Sequence, residues 1–104
     1  MERIGEFRMT GGGATVNVAL EVGEYPSGHT ALYAVDAKSG EQLAKLSVDF
    51  PEEEMLDGEI YLKDYAESER IARYAIGLGF LEPTESGLDI VSGFREFRRY
   101  RIVG

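Results

Sequence analysis

Six carboxylates fall within eleven consecutive residues, DFPEEEMLDGE, at Asp49, Glu52, Glu53, Glu54, Asp57 and Glu59, with no Lys, Arg or His among them. Three kinds of chemistry use such a run. Oxygen ligands hold hard cations, but an EF-hand loop alternates its ligands, turns on a Gly at its sixth position and closes on a bidentate Glu at its twelfth; this stretch has neither the alternation nor that glycine. Paired carboxylates hydrolyse glycosidic bonds, yet so many acids make close pairs by chance, and 104 residues leave little room for a substrate cleft beside a core. The third use is electrostatic. Duplex DNA carries one charge for about every 1.7 Å of axis, and six carboxylates on about 35 Å of extended chain form a sparser but comparable array for a basic surface to meet. A loop that keeps strand edges apart and the protein in solution has the same composition.

Other candidate residues carry less. There is no Cys, and the single imidazole, His29, sits in a Pro-Ser-Gly turn with no group nearby to orient it, so an exposed turn residue is expected there. No Ser stands in a nucleophile elbow. Gly11, Gly12 and Gly13 are not followed by the Lys-Ser or Lys-Thr of a phosphate loop, nor by a helix whose N-terminus would hold an anion. Arg95, Arg98, Arg99 and Arg101 are expected to pair with the chain's own acids or with those of a second subunit. Neither a catalytic residue nor a metal or cofactor site is expected, and the chain reads as non-enzymatic.

The balance of 19 acids against 11 bases gives a net charge of −8, unevenly spread. Residues 21 to 69 hold 13 acids and 3 bases, whereas residues 90 to 104 hold one acid and four arginines. Such a chain repels nucleic acid and anionic lipid and attracts basic partners. The absence of Cys suits a reducing cytoplasm, and no run approaches the roughly 20 apolar residues that cross a bilayer, so a cytoplasmic protein is expected. Hydrophobic residues make up 43% of the chain, with six Tyr and five Phe, enough for one core without disulfide or metal.

The elements that would position these residues follow from periodicity. In ATVNVALEV, Val16, Val18, Leu20 and Val22 alternate as in a half-buried strand. The segment from residue 2 to 9 is its hairpin partner, although Ile4 and Phe7 are out of phase. TALYAVDA and QLAKLSVDF flank the turn-forming DAKSG as a second hairpin, with Leu32 and Ala34 on one face and Ala44, Leu46, Val48 and Phe50 sharing a face. EIYLKD is a brief strand, followed by a helix that Asp64 would cap and Glu67 would close as a capping box. Ile71, Tyr74, Ala75 and Leu78 make its apolar stripe, and Gly79 stops it with Phe80 just beyond. LEPTESGLDIVSG reads as a loop with a short extended piece. FREFRRYRIV is a last strand, whose Phe97 and Tyr100 share a face only if a bulge falls near Arg98 and Arg99. The expected fold is α+β: a single domain over residues 1 to 104, a mostly antiparallel sheet of five to six strands, and one helix packed on one face.

LAKLSVDFP, EIYLKDYAESE, LGFLEPTE and SGFREFRRYRI together resemble a largely uncharacterised family of small acidic proteins of phages and integrative mobile elements of bacteria. The resemblance covers roughly residues 30 to 103 and leaves out the hairpin of residues 1 to 24. It implies a setting rather than a reaction: accessory proteins of this kind include inhibitors of CRISPR effectors and antirestriction proteins that imitate DNA. The expected function is then that of a non-enzymatic, anti-CRISPR-like inhibitor. Asp49, Glu52, Glu53, Glu54, Asp57, Glu59 and the aromatic Tyr61 would dock on a basic nucleic-acid-binding complex such as a CRISPR effector or restriction enzyme, with Phe50 as a second anchor or as core. The alternative is a small structural homodimer with no host-defence target.

Overall fold

The computed structural model describes residues 1–11, 13–84 and 89–103. Among these are ten strands in three sheets, all paired antiparallel, and one α-helix, an α+β fold. The first sheet is a meander in chain order: β1 (Glu2–Gly11), β2 (Ala14–Glu24), β3 (Thr30–Asp36) and β4 (Gln42–Lys45). The second is built from β5 (Ser47–Val48), β6 (Glu59–Leu62), β10 (Arg99–Ile102) and β7 (Leu81–Pro83), in that spatial order. β8 (Ile90–Ser92) and β9 (Arg95–Phe97) form a separate hairpin.

Ten strands replace the expected five to six for two reasons: two long apolar runs are cut where the chain changes sheets, and LEPTESGLDIVSG, expected as a loop with one short extended piece, supplies both β7 and β8, its residues 85–88 lying outside the described ones. QLAKLSVDF is split at Leu46, whose N–H donates to the Leu32 carbonyl in the first sheet while its own carbonyl accepts from Lys63 beside the second. The expected face of Ser47 is reversed by this break: Ser47 is buried, and its Oγ accepts from Leu32 N–H at 3.0 Å. The C-terminal run is cut at Arg98 in the same way, so the expected bulge is a passage from β9 to β10. Phe97 and Tyr100, three apart, then each face apolar neighbours. The other out-of-phase pair does have a bulge. The register of β1 on β2 slips between Arg3 and Gly5, and the extra residue returns both Ile4 and Phe7 to the core side.

The core lies between the first sheet and a layer made of the helix and the second sheet. Val18, Leu20, Leu32, Ala34, Ala44 and Leu46 come from or beside the first sheet and meet Ile60, Leu62, Leu81 and the helical Ile71, Ala72 and Ala75. The helix begins later than expected. A 3-10 turn at Ala66–Ser68 precedes α1 (Glu69–Gly77), Tyr65 and Ser68 occupy the cap positions, and neither makes a side-chain cap bond. Asp64 is therefore not the cap, and Glu67 bonds Lys63 Nζ at 2.8 Å instead of closing a capping box. Ala66 has φ of +54°, where a side chain crowds its own backbone. The buried stripe includes Ala72 and omits Leu78, which is 56% exposed. The helix ends as expected: Gly79, at φ +84°, donates to Ile76, and Phe80 N–H reaches back to the Ala75 carbonyl. Phe80 then packs on Phe7, so close to Gly5 that a Cβ there would strike its ring. No helix among the described residues is long and apolar enough to cross a membrane.

Candidate functional site

The acidic connection joins β5 to β6, and hydrogen bonds at both ends hold it. On its first side, Glu53 N–H donates to the Phe50 carbonyl at 3.0 Å, closing a turn. At the far side, Glu59 N–H donates to Leu56, and the Glu59 carboxylate accepts from Leu56 N–H at 2.9 Å. Gly58 is clamped between layers: its N–H donates to Thr30 Oγ1 at 3.0 Å and its carbonyl accepts from Ile102 N–H at 2.8 Å. Phe50 lies under the connection, edge-on to Tyr61 at 5.1 Å and to Phe97 at 5.3 Å.

The six carboxylates do not share one outward face. Asp49 is turned inward, accepting from Ser27 Oγ at 2.8 Å and from His29 Nδ1–H at 2.9 Å. His29 is accordingly a partly buried, carboxylate-oriented side chain rather than the exposed turn residue expected, and its separation of twenty positions from Asp49 hid the contact. An imidazole so oriented is half of a general-base arrangement, and the Ser27 hydroxyl donates to Asp49 rather than to the ring.

Glu59 is also internal. Its side chain is 12% exposed and lies 3.5 Å from Nη1 of Arg99, itself only 5% exposed. Arg99 Nη2 donates to Tyr61 Oη at 2.6 Å, its guanidinium sits 5.0 Å from the Tyr61 ring centroid, and Tyr61 Oη donates in turn to Glu53 Oε1 at 3.4 Å. Tyr61 has no exposed surface and belongs to the network beneath the connection. Among the described residues Arg99 Nε has no hydrogen-bond partner.

Glu52, Glu54 and Asp57 are exposed, and none of them makes an ion pair among the described residues. Glu53 is half-buried. The seven residues expected to form the site thus divide into three solvent-facing carboxylates, one marginal, and three members of internal networks. The other C-terminal arginines have local contacts while remaining exposed: Arg98 approaches Glu96 at 3.7 Å, Arg101 bonds Glu82, and Arg95 stacks on the Tyr65 ring at 3.7 Å. Among the described residues, no group of three or more His, Cys, Asp or Glu side chains is arranged to hold a metal ion.

Sequence reasoning missed Arg99 as the organiser of this region. A signal existed: Glu59 and Tyr61 alternate on one strand, as Arg99 and Arg101 do on another, and in the β6–β10 register Arg99 lies opposite Tyr61 and Arg101 opposite Glu59. It also missed Tyr25, whose hydroxyl is 2.7 Å from Ser47 Oγ and whose burial, outweighing that bond, pushes its pKa up to about 12. Compared with family models, curated proteins and solved structures, the chain matches none.

Proposed function

We propose that the chain is a non-enzymatic inhibitor that binds a basic, nucleic-acid-binding protein surface through Glu52, Glu54 and Asp57, in the manner of anti-CRISPR and antirestriction accessory proteins of phages and mobile elements. The observation that supports this reading best is the contrast within one connection: three carboxylates face solvent without a cation in ion-pair reach among the described residues, while their neighbours Asp49 and Glu59 are tied into the fold. The tied residues fix the connection, so the three free charges are presented with little ordering entropy left to lose on binding. Unpaired anions on a chain of net charge −8 steer association with a basic groove, and that attraction falls with salt.

The test uses purified CRISPR effector and restriction complexes and reads their DNA binding by mobility shift in the presence of this protein. The wild type is expected to lower DNA binding at low salt and less so at high salt, and E52Q/E54Q/D57N to lose the effect with its fold intact. Undiminished inhibition by the triple variant, or no inhibition of any complex, overturns the proposal. A structural homodimer is the second reading. Arg99 is buried against Glu59 and offers nothing to another subunit's acids, whereas Arg98 and Arg101 lie beside Glu96 and Glu82 but stay more than half exposed; the observation that specifically favours a dimer lies at β1.

A further inference from the structure

Four strands form the edges of the two larger sheets. β4 has four residues, β5 two and β7 three, whereas β1 runs for ten, and nothing among the described residues pairs with its outer side. The neighbouring strand shows which of its groups face outward. Ala37 N–H donates to the Asn17 carbonyl at 2.9 Å, so the backbone of Asn17 is turned toward β3 and away from Arg8, its partner on β1. The N–H and C=O of Arg8 therefore point off the sheet, and by the alternation of an antiparallel ladder so do those of Glu6 and Thr10. The Thr10 carbonyl is already taken by Nη2 of Arg70, which closes that end. The bulge between Arg3 and Gly5 closes the other. An open edge remains from Gly5 to Met9, centred on Phe7.

We infer that β1 pairs antiparallel with β1 of a second copy of this chain, about a two-fold axis at Phe7, joining two four-stranded sheets into one. This inference is independent of any role for the acidic connection. Outward-facing groups allow only even-numbered residues to form the hydrogen-bonded pairs, which leaves three central registers. Centring on Glu6 sets that carboxylate against its own copy, and centring on Arg8 does the same with two guanidinium groups. Centring on Phe7 sets Glu6 opposite Arg8 of the partner subunit twice over, with two reciprocal sets of backbone hydrogen bonds. The free chain fits that pairing. Glu6 is 57% exposed with only a long contact to Arg3 at 3.6 Å, and Arg8 is exposed with no carboxylate in ion-pair reach among the described residues, on a chain carrying 19 acids. On the opposite face Phe7 is half-buried, stacked 5.9 Å from Tyr74, and its remaining surface extends the apolar layer across the axis. Charged residues on a long edge ordinarily prevent pairing; here their order is complementary to itself in one register.

Sedimentation velocity on the purified chain, from about 1 µM to about 1 mM, reads the dimer directly. A mass that stays monomeric across that range overturns the inference. Where a dimer forms, E6R and R8E should each weaken it about tenfold or more at low salt, since each places like charges across both contacts. Mixing the two variants should restore association, because every cross-strand pair is then opposite in sign. Arg8→Pro, which removes an N–H that faces solvent in the monomer and is tolerated there, should abolish the dimer with the circular dichroism unchanged. Dimerisation indifferent to E6R and R8E, or a mixture no tighter than either variant alone, places the contact elsewhere and overturns the proposal.

Discussion

In the first sheet every strand pairs with its neighbour in the chain, whereas in the second β10 is inserted between β6 and β7 and reaches residues far back along the sequence, Arg99 bonding Tyr61 across 38 positions. The first sheet is held by apolar alternation on the face it buries, with Val18, Leu20, Leu32 and Ala34 wholly covered. The second has short strands that also feed Ile60, Leu62 and Leu81 to the core, and around it lies a buried polar network of Arg99, Tyr61 and Glu59. Period-two hydrophobicity is enough to organise strands that are already neighbours. Strands brought together from distant segments here depend on groups whose misplacement is costly, because a buried charge tolerates few alternative arrangements.

The contrast is broken most sharply at Arg99. Arg99→Ala strands Glu59 in a nearly closed site and should cost about 3–5 kcal/mol in urea unfolding, whereas Arg99→Met combined with Glu59→Gln should recover most of it. A loss under about 1 kcal/mol would mean that apolar contacts alone hold the second sheet. Leu32→Ala tests the other side: a fully buried leucine in the first sheet should cost about 3 kcal/mol through lost transfer energy and the cavity left behind.

The junction between the sheets is read by Tyr25, which follows β2 and bonds Ser47 of β5. Loss of that bond in Tyr25→Phe should cost about 1 kcal/mol. Its pH dependence is more specific. Burial raises the phenol from 10.0 to about 12, so the folded chain keeps the proton that the unfolded chain releases; stability is full below pH 10 and declines as pH rises toward 12. Tyr25→Phe should flatten that decline in a pH series of thermal melts. The smallest effect belongs to E52Q/E54Q/D57N, which should change stability by no more than about 0.5 kcal/mol, since these exposed side chains make no ion pair among the described residues.

Much of the first sheet was legible because its signals are local. The alternation in β2, the hairpin from β3 to β4 and the glycine stop after α1 all appear where periodicity places them. The irregular spacings were informative too: Ile4 and Phe7 marked a bulge, and Phe97 and Tyr100 marked a change of sheet. What was hidden is tertiary. Nothing in QLAKLSVDF announces that Leu46 serves two sheets, and Leu78 completes a helical stripe on paper while the chain buries Ala72 in its place. The acidic connection was the least legible part, because a carboxylate has the same letter whether it faces water or a guanidinium forty residues away. Glu59 and Asp49 counted toward the charge of the run although Arg99, His29 and Ser27 hold them inside it.

The position of β10 between β6 and β7 also orders the assembly of the molecule in time. As the chain leaves the ribosome, its first 45 residues contain every strand of the meander and can close it early. β6 and β7 have no common partner until residues 99 to 102 emerge, so the floor beneath the acidic connection is laid last. A nascent chain stalled before that point would carry the meander beside an unfinished second sheet, with the strand edges on which chaperones and proteases act still open.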